Sequence, residues 1–371
     1  MGLTLEEITK QVCGFMTHPE PEGFEPLALR VFTFQFHHNL PYRHYCLGRG
    51  KTPETLSHWR EIPAVPTGAF KELELTCLPG AEKPEAVFLT SGTTHGHQKQ
   101  GRHFIPKLSV YEAAILPHFA AHLLPDKSAS GGCLRMMILT GPPSLWPHSS
   151  LAYMMEVVRK AFGADGSMYY IKEEGLDLEA VISDLKAAER TAEPVFLLGI
   201  TPAFWELMTR VRSRGFKFSL PPGSRIMDTG GFKGRSREVG REQLYRGFGE
   251  TFGVPDTHCV NMYGMTEFSI QFYDVTLRRH ISGEPVARYK IGPPWSRTRI
   301  IDPETGEDTP RGNVGVLLHV DLANWNTVSA ILTEDLGRAA GEGFELLGRV
   351  QGAEARGCSM AIDELLAVTR R

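Results

Sequence analysis

From residue 85 to about residue 263 the chain repeats one pattern, a short apolar run followed by a stretch of helical periodicity. "AVFLT" (Ala86 to Thr90), "CLRMMILT" (Cys133 to Thr140) and "VFLLGI" (Val195 to Ile200) read as buried strands. "LDLEAVISDLKAA" places Leu178, Val181, Ile182 and Leu185 on one helical face. "TPAFWELMTRV" continues from Ile200 as a helix, with Pro202 tolerated in its first turn. "SRIMDTGG", a further helical stretch and "HCVNMYGMTE" repeat the scheme. Strands joined by helical crossovers pair in parallel, because a tight turn cannot return the chain to the same end. The expected fold class is therefore α/β, with mainly parallel sheets flanked by helices.

The flanking regions differ in texture. The first 80 residues read as helices and connectors. Within them "FHHNLPYRHYC" (Phe36 to Cys46) gathers His37, His38, His44 and Cys46, but their spacing matches no common metal-ligand pattern, and a packed, hydrogen-bonded aromatic segment is the expectation. After residue 290, "RTRIIDPETGEDTPRGNVGVLLHV" holds two strand-like runs around a Gly/Pro/Asp-rich turn, followed by "SAILTEDLG" and "FELLGRV". The expected organisation is a large domain over 1–290, helical over about 1–80, and a small β-rich segment over 291–371. A Phe/Trp/Met stripe in "GITPAFWELM" (Gly199 to Met208) fits an acyl pocket, but at helical spacing it reads first as core.

The formal net charge is −3, and no charge run is long enough for a nucleic-acid face, so a polyanionic ligand must be held by local donors. The six cysteines are scattered and form no C-x-x-C pair, which reads as reduced thiols in the cytoplasm. The N-terminus is acidic where a signal peptide is basic, and no run of 18 apolar residues is present, so a leader and a transmembrane segment are not expected.

Three stretches can carry chemistry. "TSGTTHGHQKQGRH" (Thr90 to His103) offers hydroxyls at Ser91, Thr93 and Thr94, glycines at Gly92, Gly96 and Gly101, and a cation at Lys99. Glycines let backbone amides approach a phosphate, while hydroxyls and lysine add donors and charge. It is not G-x-x-x-x-G-K-[ST], and a plain polar loop is the alternative. "NMYGMTE" (Asn261 to Glu267) brings an aromatic, a glycine, a hydroxyl and a carboxylate together: Tyr263 to stack on a base, Thr266 to donate to a phosphate, Glu267 to hold Mg²⁺ beside phosphate oxygens. A strand end with a solvated Glu267 is the alternative. "LTEDLGR" (Leu332 to Arg338) has adjacent carboxylates, Glu334 and Asp335, suited to a ribose, or it is an ordinary acidic turn.

In this order the three stretches resemble the adenylate-forming ligases, whose Ser/Thr/Gly-rich loop, Tyr-Gly-x-Thr-Glu motif and T-x-D motif jointly bind ATP. "DTGGFKG" places Gly230 and Gly231 where that superfamily lays a Gly-Gly stretch against the adenine, and Gly348–Arg349 match the Gly-Arg that ends its large domain. The resemblance narrows to the acyl-protein synthetases (long-chain-fatty-acid–protein ligases, LuxE-type) of bacterial luminescence. Similar segments run nearly end to end: "PYRHYC", "IPAVPTGAFK", "TSGTT", "TGGFK", "IIDPETG", "LTEDLG" and the terminal "GCSM". "YGMTE" is closer to the broad superfamily than to the degenerate form of the luminescence enzymes.

The resemblance implies a fold, a reaction and a set of roles. A fatty acid is activated as acyl-AMP with ATP and Mg²⁺, taken onto a cysteine near the C-terminus and passed to an acyl reductase or acyl carrier partner; a homo- or hetero-oligomer is compatible with this. The implied ATP-binding set is Ser91, Gly92, Thr93, Thr94, Gly230, Gly231, Tyr263, Gly264, Asp335 and Arg349. The implied catalytic set is Lys99, Thr266, Glu267 (also the Mg²⁺ ligand) and Cys358. Full-length members of the superfamily add a mobile C-terminal domain with a catalytic lysine, whereas only 22 residues follow Arg349 here and none is lysine. Charge neutralisation then falls to Lys99, Arg349, Arg356, Mg²⁺ or a partner. Cys358 lies in "GCSM", with Arg356 two residues before it and a short helical pattern after Ser359, features that lower a thiol pKa. Its alternative is a buried small hydrophobe. The alternative activities are transfer to coenzyme A or a carrier protein with Cys358 incidental, and a non-catalytic subunit that stabilises a reductase.

Overall fold

The computed structural model describes residues 3–80, 82–90, 100–127, 132–230 and 240–349. The helices used below are α1 (Leu5–Thr17), α2 (Phe24–His38), α3 (Leu40–Gly48), α4 (Ala69–Glu72), α5 (Leu108–Leu123), α6 (Ser150–Phe162), α7 (Leu178–Thr191), α8 (Thr201–Ser213), α9 (Arg241–Phe252) and α10 (Thr276–Ile281). The strands are β1 (Val65–Pro66), β2 (Ala86–Leu89), β3 (Arg102–Ile105), β4 (Arg135–Leu139), β5 (Met168–Tyr169), β6 (Ile171–Lys172), β7 (Gly175–Leu176) and β8 (Val195–Ile200). They continue as β9 (Arg225–Thr229), β10 (Cys259–Tyr263), β11 (Phe272–Asp274), β12 (Lys290–Ile291), β13 (Ser296–Ile301), β14 (Val314–Asp321), β15 (Ala330–Ala340) and β16 (Gly343–Arg349). The chain divides into two compact units, one drawing on residues up to Ile115, Met265–Gln271 and the chain from Tyr289, the other on Leu116–Gly264 and Phe272–Arg288.

The second unit contains the parallel sheet that the apolar runs predict. Its strands run β5–β4–β8–β9–β10–β11, parallel except for the β10–β11 pair. β8 and β9 are buried along almost their whole length. That is the mark of a sheet covered on both faces, and it is why these strands read as continuous apolar runs rather than alternating ones. On one face α7 contributes Val181, Ile182 and Leu185, α8 contributes Phe204, Leu207 and Met208, and α9 contributes Leu244 and Phe248 to a single core. α7 starts at Asp177, whose carboxylate accepts the Ala180 amide, a standard N-terminal cap. Of the Phe/Trp/Met stripe, Phe204 and Met208 are core, as the spacing predicts, while Trp205 packs half-buried against it. Phe119 of α5 stacks on Phe162 of α6 at 5.9 Å and lies 6.0 Å from Phe196.

The first unit is built differently. α1 opens with a capping box in which Thr4 and Glu7 satisfy one another's backbone amides. The "FHHNLPYRHYC" segment is the α2–α3 corner and packs as a hydrogen-bonded aromatic segment. Asn39 caps α3 and donates to Thr327 O at 3.0 Å, and the buried Tyr42 donates to Pro63 O at 2.8 Å. β13, β14, β15, β16 and β12 pair antiparallel in that order, with β1 parallel to β15. Gly343 meets β12 so closely that a Cβ would stand 1.9 Å from Lys290 O, which only glycine permits. "AVFLT" does form β2, but with an antiparallel partner, β3, and only Phe88 of its residues is fully buried. A four-residue apolar run carries no signal for the direction of its partner. Among the described residues no helix is long and apolar enough to cross a membrane.

Burial makes stability pH-dependent. It lowers His103 and His122 to about 4 and His319 to about 3, from an ordinary 6.5. It raises Asp321 from 3.8 to about 7, against backbone N–H bonds that favour the carboxylate. Between pH 4 and 6.5 the unfolded chain takes up histidine protons that the folded chain refuses, so these groups lose stability as pH falls through that window. Asp321 acts oppositely: between 3.8 and 7 the folded chain holds its proton and the unfolded chain does not, so its contribution weakens as pH rises. Near pH 5 three histidines outweigh one aspartate by about two protons, or roughly 2 to 3 kcal/mol per pH unit. Urea midpoints should fall steadily from pH 7 to pH 5, and His319→Asn should flatten the slope. A constant or rising midpoint would contradict this account.

Candidate active site

In the second unit the parallel strands β8, β9 and β10 end on one edge, where their following loops begin, the edge at which open α/β sheets bind ligands. A buried carboxylate, Asp228, ties the three strand ends together. It accepts from Tyr245 OH at 3.0 Å, Asn261 Nδ2 at 2.8 Å and the Thr201 hydroxyl at 3.1 Å. The Thr201 hydroxyl also lies 3.1 Å from Gly230 O, and Thr229 donates to Met262 O at 3.0 Å. Asn261 N donates to a second buried acid, Asp274, which pairs with Arg288 at 2.8 Å. Gly230 therefore leaves β9 on a rigid base. Its φ of +76° is in the left-handed region, and among the described residues nothing beyond its chain neighbours lies within 4 Å of where a Cβ would sit. Tyr263 ends β10 with its ring 5.7 Å from that of Phe272 and only 8 % of its surface exposed, and Gly264 follows it, half-buried.

In the first unit the Met265–Gln271 segment carries Thr266, half-buried, and Glu267, buried. His103 Nδ1 lies 2.7 Å from Thr266 O. Burial keeps this imidazole neutral at physiological pH, and the carbonyl acceptor assigns the proton to Nδ1. Asn324 Nδ2 donates to Glu267 O at 2.7 Å. β2 and β3 bring the ends of the Ser/Thr/Gly stretch together: Thr90 N donates to Gly101 O at 2.9 Å, and Gly101 N to the Thr90 hydroxyl at 2.8 Å. On β15 the buried Thr333 accepts the Asp335 amide at 3.1 Å and donates to Leu317 O at 2.8 Å. Asp335 is the cross-strand partner of Arg349, whose Nε stands 3.5 Å from Asp335 Oδ1, with Glu334 at 3.9 Å.

Of the residues expected from the sequence, Asp335 and Arg349 are brought together, and Thr266 and Glu267 share one held segment. Tyr263, Gly264 and Gly230 stand at neighbouring strand ends of the other unit. Ser91, Gly92, Thr93, Thr94, Lys99, Gly231 and Cys358 lie outside the described residues. Sequence reasoning passed over His103, Asp228, Asp321 and Asn324. The acid and asparagines of "DLANWN" (Asp321 to Asn326) follow the apolar run of β14, and polar residues in such a place are a signal of buried hydrogen bonding.

The donor set bears on Mg²⁺. Among the described residues no group of three or more His, Cys, Asp or Glu side chains is arranged to hold a metal ion. One carboxylate at Glu267 beside the Thr266 hydroxyl suits an ion that takes its remaining ligands from phosphates and water, which is how Mg²⁺ is commonly held.

The family model for "Acyl-protein synthetase, LuxE" matches residues 22–367. The long-chain-fatty-acid–luciferin-component ligase of Vibrio harveyi is 22 % identical over 351 residues, covering 91 % of this chain and 86 % of the relative. Its counterpart from Aliivibrio fischeri is 21 % identical over 373 residues, covering 95 % and 93 %. Among solved structures, an open conformation of 2-hydroxyisobutyryl-CoA ligase in complex with 2-HIB-AMP and CoA aligns over 94 % of this chain and 76 % of its own, with a TM-score of 0.59 at 14 % identity. ATP-bound MatB from Rhodopseudomonas palustris aligns over 73 % of this chain, with a TM-score of 0.50 at 17 % identity, and the chain spans about half of its length. At these identities the structural likeness shows the fold, an α/β fold shared with adenylate-forming ligases, while the match over 22–367 shows the family. The chain belongs to the acyl-protein synthetase family, LuxE, and is a ligase.

Proposed function

We propose that this ligase activates a fatty acid with ATP as its acyl-adenylate, captures the acyl group as a thioester on Cys358 and delivers it to a partner protein, an acyl reductase. The observation that carries the reading is the Thr266–Glu267 segment, with Glu267 buried and both carbonyls hydrogen-bonded, in a chain that matches the family over 22–367. The family's description, acyl-protein synthetase, supports a protein acceptor, and the names of the two relatives, long-chain-fatty-acid–luciferin-component ligases, support a fatty acid as the acyl source.

In the first step the fatty carboxylate attacks the α-phosphorus of ATP, forming a C–O–P bond as the bond to pyrophosphate breaks. Such chemistry rests on positioning and charge stabilisation. Ser91, Thr93, Thr94 and Lys99, with Gly92 in the same loop, receive the phosphates. Thr266 donates to the α-phosphate, and Tyr263 with Gly230, Gly231 and Gly264 flanks the adenine. Asp335 accepts from the ribose hydroxyls, and Arg349 beside it compensates its charge. Glu267 would hold Mg²⁺, which supplies neutralisation of the phosphate oxygens. In the second step the Cys358 thiolate attacks the acyl carbonyl, forming the thioester, and AMP leaves with the electron pair of the broken C–O bond. We place the reaction in the cytoplasm, where a free thiol persists.

Two variants test the two steps separately. Glu267→Gln should lower Mg²⁺-dependent pyrophosphate exchange into ATP by on the order of 10² or more, the usual loss for one well-placed electrostatic group. Wild-type protein showing no exchange with any acid from acetate to palmitate would overturn the adenylation reading.

Cys358→Ala should keep that exchange and abolish the hydroxylamine-sensitive acyl adduct seen by intact-protein mass spectrometry. An adduct that persists and maps to Cys13, Cys46, Cys77, Cys133 or Cys259 would refute the acceptor assignment. Faster transfer to free coenzyme A than to a reductase would refute the protein acceptor.

A further inference from the structure

The segment that bears Thr266 and Glu267 is short and irregular, and the backbone on the C-terminal side of Glu267 is held at two points from elsewhere in the chain. The held groups are the carbonyl of Glu267 itself and the amide and hydroxyl of Ser269. Asn324 Nδ2 donates to Glu267 O at 2.7 Å while its Oδ1 accepts the Ser269 hydroxyl at 2.5 Å. Asp321 Oδ2 accepts Ser269 N at 2.9 Å, and its Oδ1 accepts Ala323 N at 2.9 Å. An asparagine amide has one donating and one accepting end, so a carbonyl on one side and a hydroxyl on the other admit a single orientation. Holding the carbonyl of residue 267 and the amide of residue 269 fixes the peptide planes that follow the Glu267 Cα, and with them the direction in which its side chain departs.

The holder is itself held. Gln35 Nε2 donates to Asn324 O at 3.0 Å and lies 3.2 Å from Trp325 O. Gln35 Oε1 accepts the amide and the hydroxyl of Ser329, each at 3.1 Å. Gln35, Asp321, Asn324, Ser269 and Ser329 are each at most 2 % exposed. A purely space-filling contact is met by apolar side chains at no desolvation cost, whereas a buried polar network is favourable only when its members are paired. Here the bonds converge on the carbonyl of Glu267 and on the residue two positions after it.

We propose that Asn324 and Asp321 are positioning residues that set the geometry of Glu267, with Gln35 as their anchor on α2. The inference rests on the role given to Glu267 under the proposed function. These side chains touch no reacting atom; they act by holding the backbone from which Glu267 projects. A carboxylate that meets a metal–nucleotide complex tolerates little misplacement, and loss of a supporting hydrogen bond costs about 10- to 100-fold in metal affinity or activity.

The test uses the full-length protein with Mn²⁺ and ATP as probes. Free Mn²⁺ measured by electron paramagnetic resonance reports binding without turnover, and pyrophosphate exchange reports kcat and the KM for the fatty acid. Asn324→Asp keeps the shape and the acceptor for Ser269 but removes the donor to Glu267 O. It should weaken Mn²⁺·ATP binding by about tenfold or more and lower kcat comparably, with the fatty-acid KM within about twofold of wild type. Ser269→Ala, which removes one hydroxyl, should show a smaller loss in the same two quantities, and Ser269→Thr should restore them. If Asn324→Asp does not fold, the Ser269 pair decides. Variants that melt at lower temperature but keep Mn²⁺·ATP binding and kcat, with wild type active, overturn the positioning role alone. A wild type without exchange overturns the adenylation reading and this role together.

Discussion

Backbone hydrogen bonding between buried parallel strands is the constraint on which the second unit depends. β4, β8, β9 and β10 have no water on either face to satisfy their amides, so each must pair along its length with a neighbour. Parallel pairing requires a crossover after each strand, and α7, α8 and α9 lie within or beside those crossovers. The consequence is geometric: the strands finish on one edge, and the residues just after them are collected there. Thr201, Gly230 and the Tyr263–Gly264 pair are neighbours in space because their strands are neighbours in the ladder, although about 30 residues separate each from the next.

Buried polar side chains then convert strand ends into defined positions. Asp228 draws Thr201, Tyr245 and Asn261 onto one carboxylate, and Asp321 with Asn324 does the same for the chain around Glu267. Each carboxylate is surrounded by donors, as burial demands of a charge-bearing group. His103 adds a neutral donor at Thr266 O, and because burial keeps it uncharged, that bond does not depend on a proton gained or lost near neutral pH. The chemistry proposed for Thr266 and Glu267 needs two small groups kept in fixed relation, and these bonds are the means by which this chain provides it.

Much of the second unit was legible in the sequence because its signals are local. The α7 face of Val181, Ile182 and Leu185 and the start of α8 at Thr201 follow from periodicity and from Pro202 in a first turn. The two strands around the turn at residues 302–313 were also legible, from apolar runs on either side of a Gly/Pro/Asp-rich stretch. β2 was legible as a strand but not as half of an antiparallel hairpin, because a short apolar run is silent about its partner. Of the candidate site, the motifs themselves could be read, with Thr266, Glu267 and Asp335 among them. The groups that hold those residues could not: Gln35 meets Asn324 across 289 positions, and His103 meets Thr266 across 163.

By itself, then, the sequence determined the α/β alternation, the order of the hydroxyl, glycine and carboxylate motifs, and the family to which they belong. These are properties of residues within a few positions of one another, where helical and strand periods and turn chemistry act. The tertiary structure alone decided that Asp335 faces Arg349 across a ladder, that Asp228 joins three strand ends, and that Asn324 and Asp321 hold the backbone on the C-terminal side of Glu267. A buried hydrogen bond exists only where two distant stretches meet away from water, and no local pattern specifies which stretches those are.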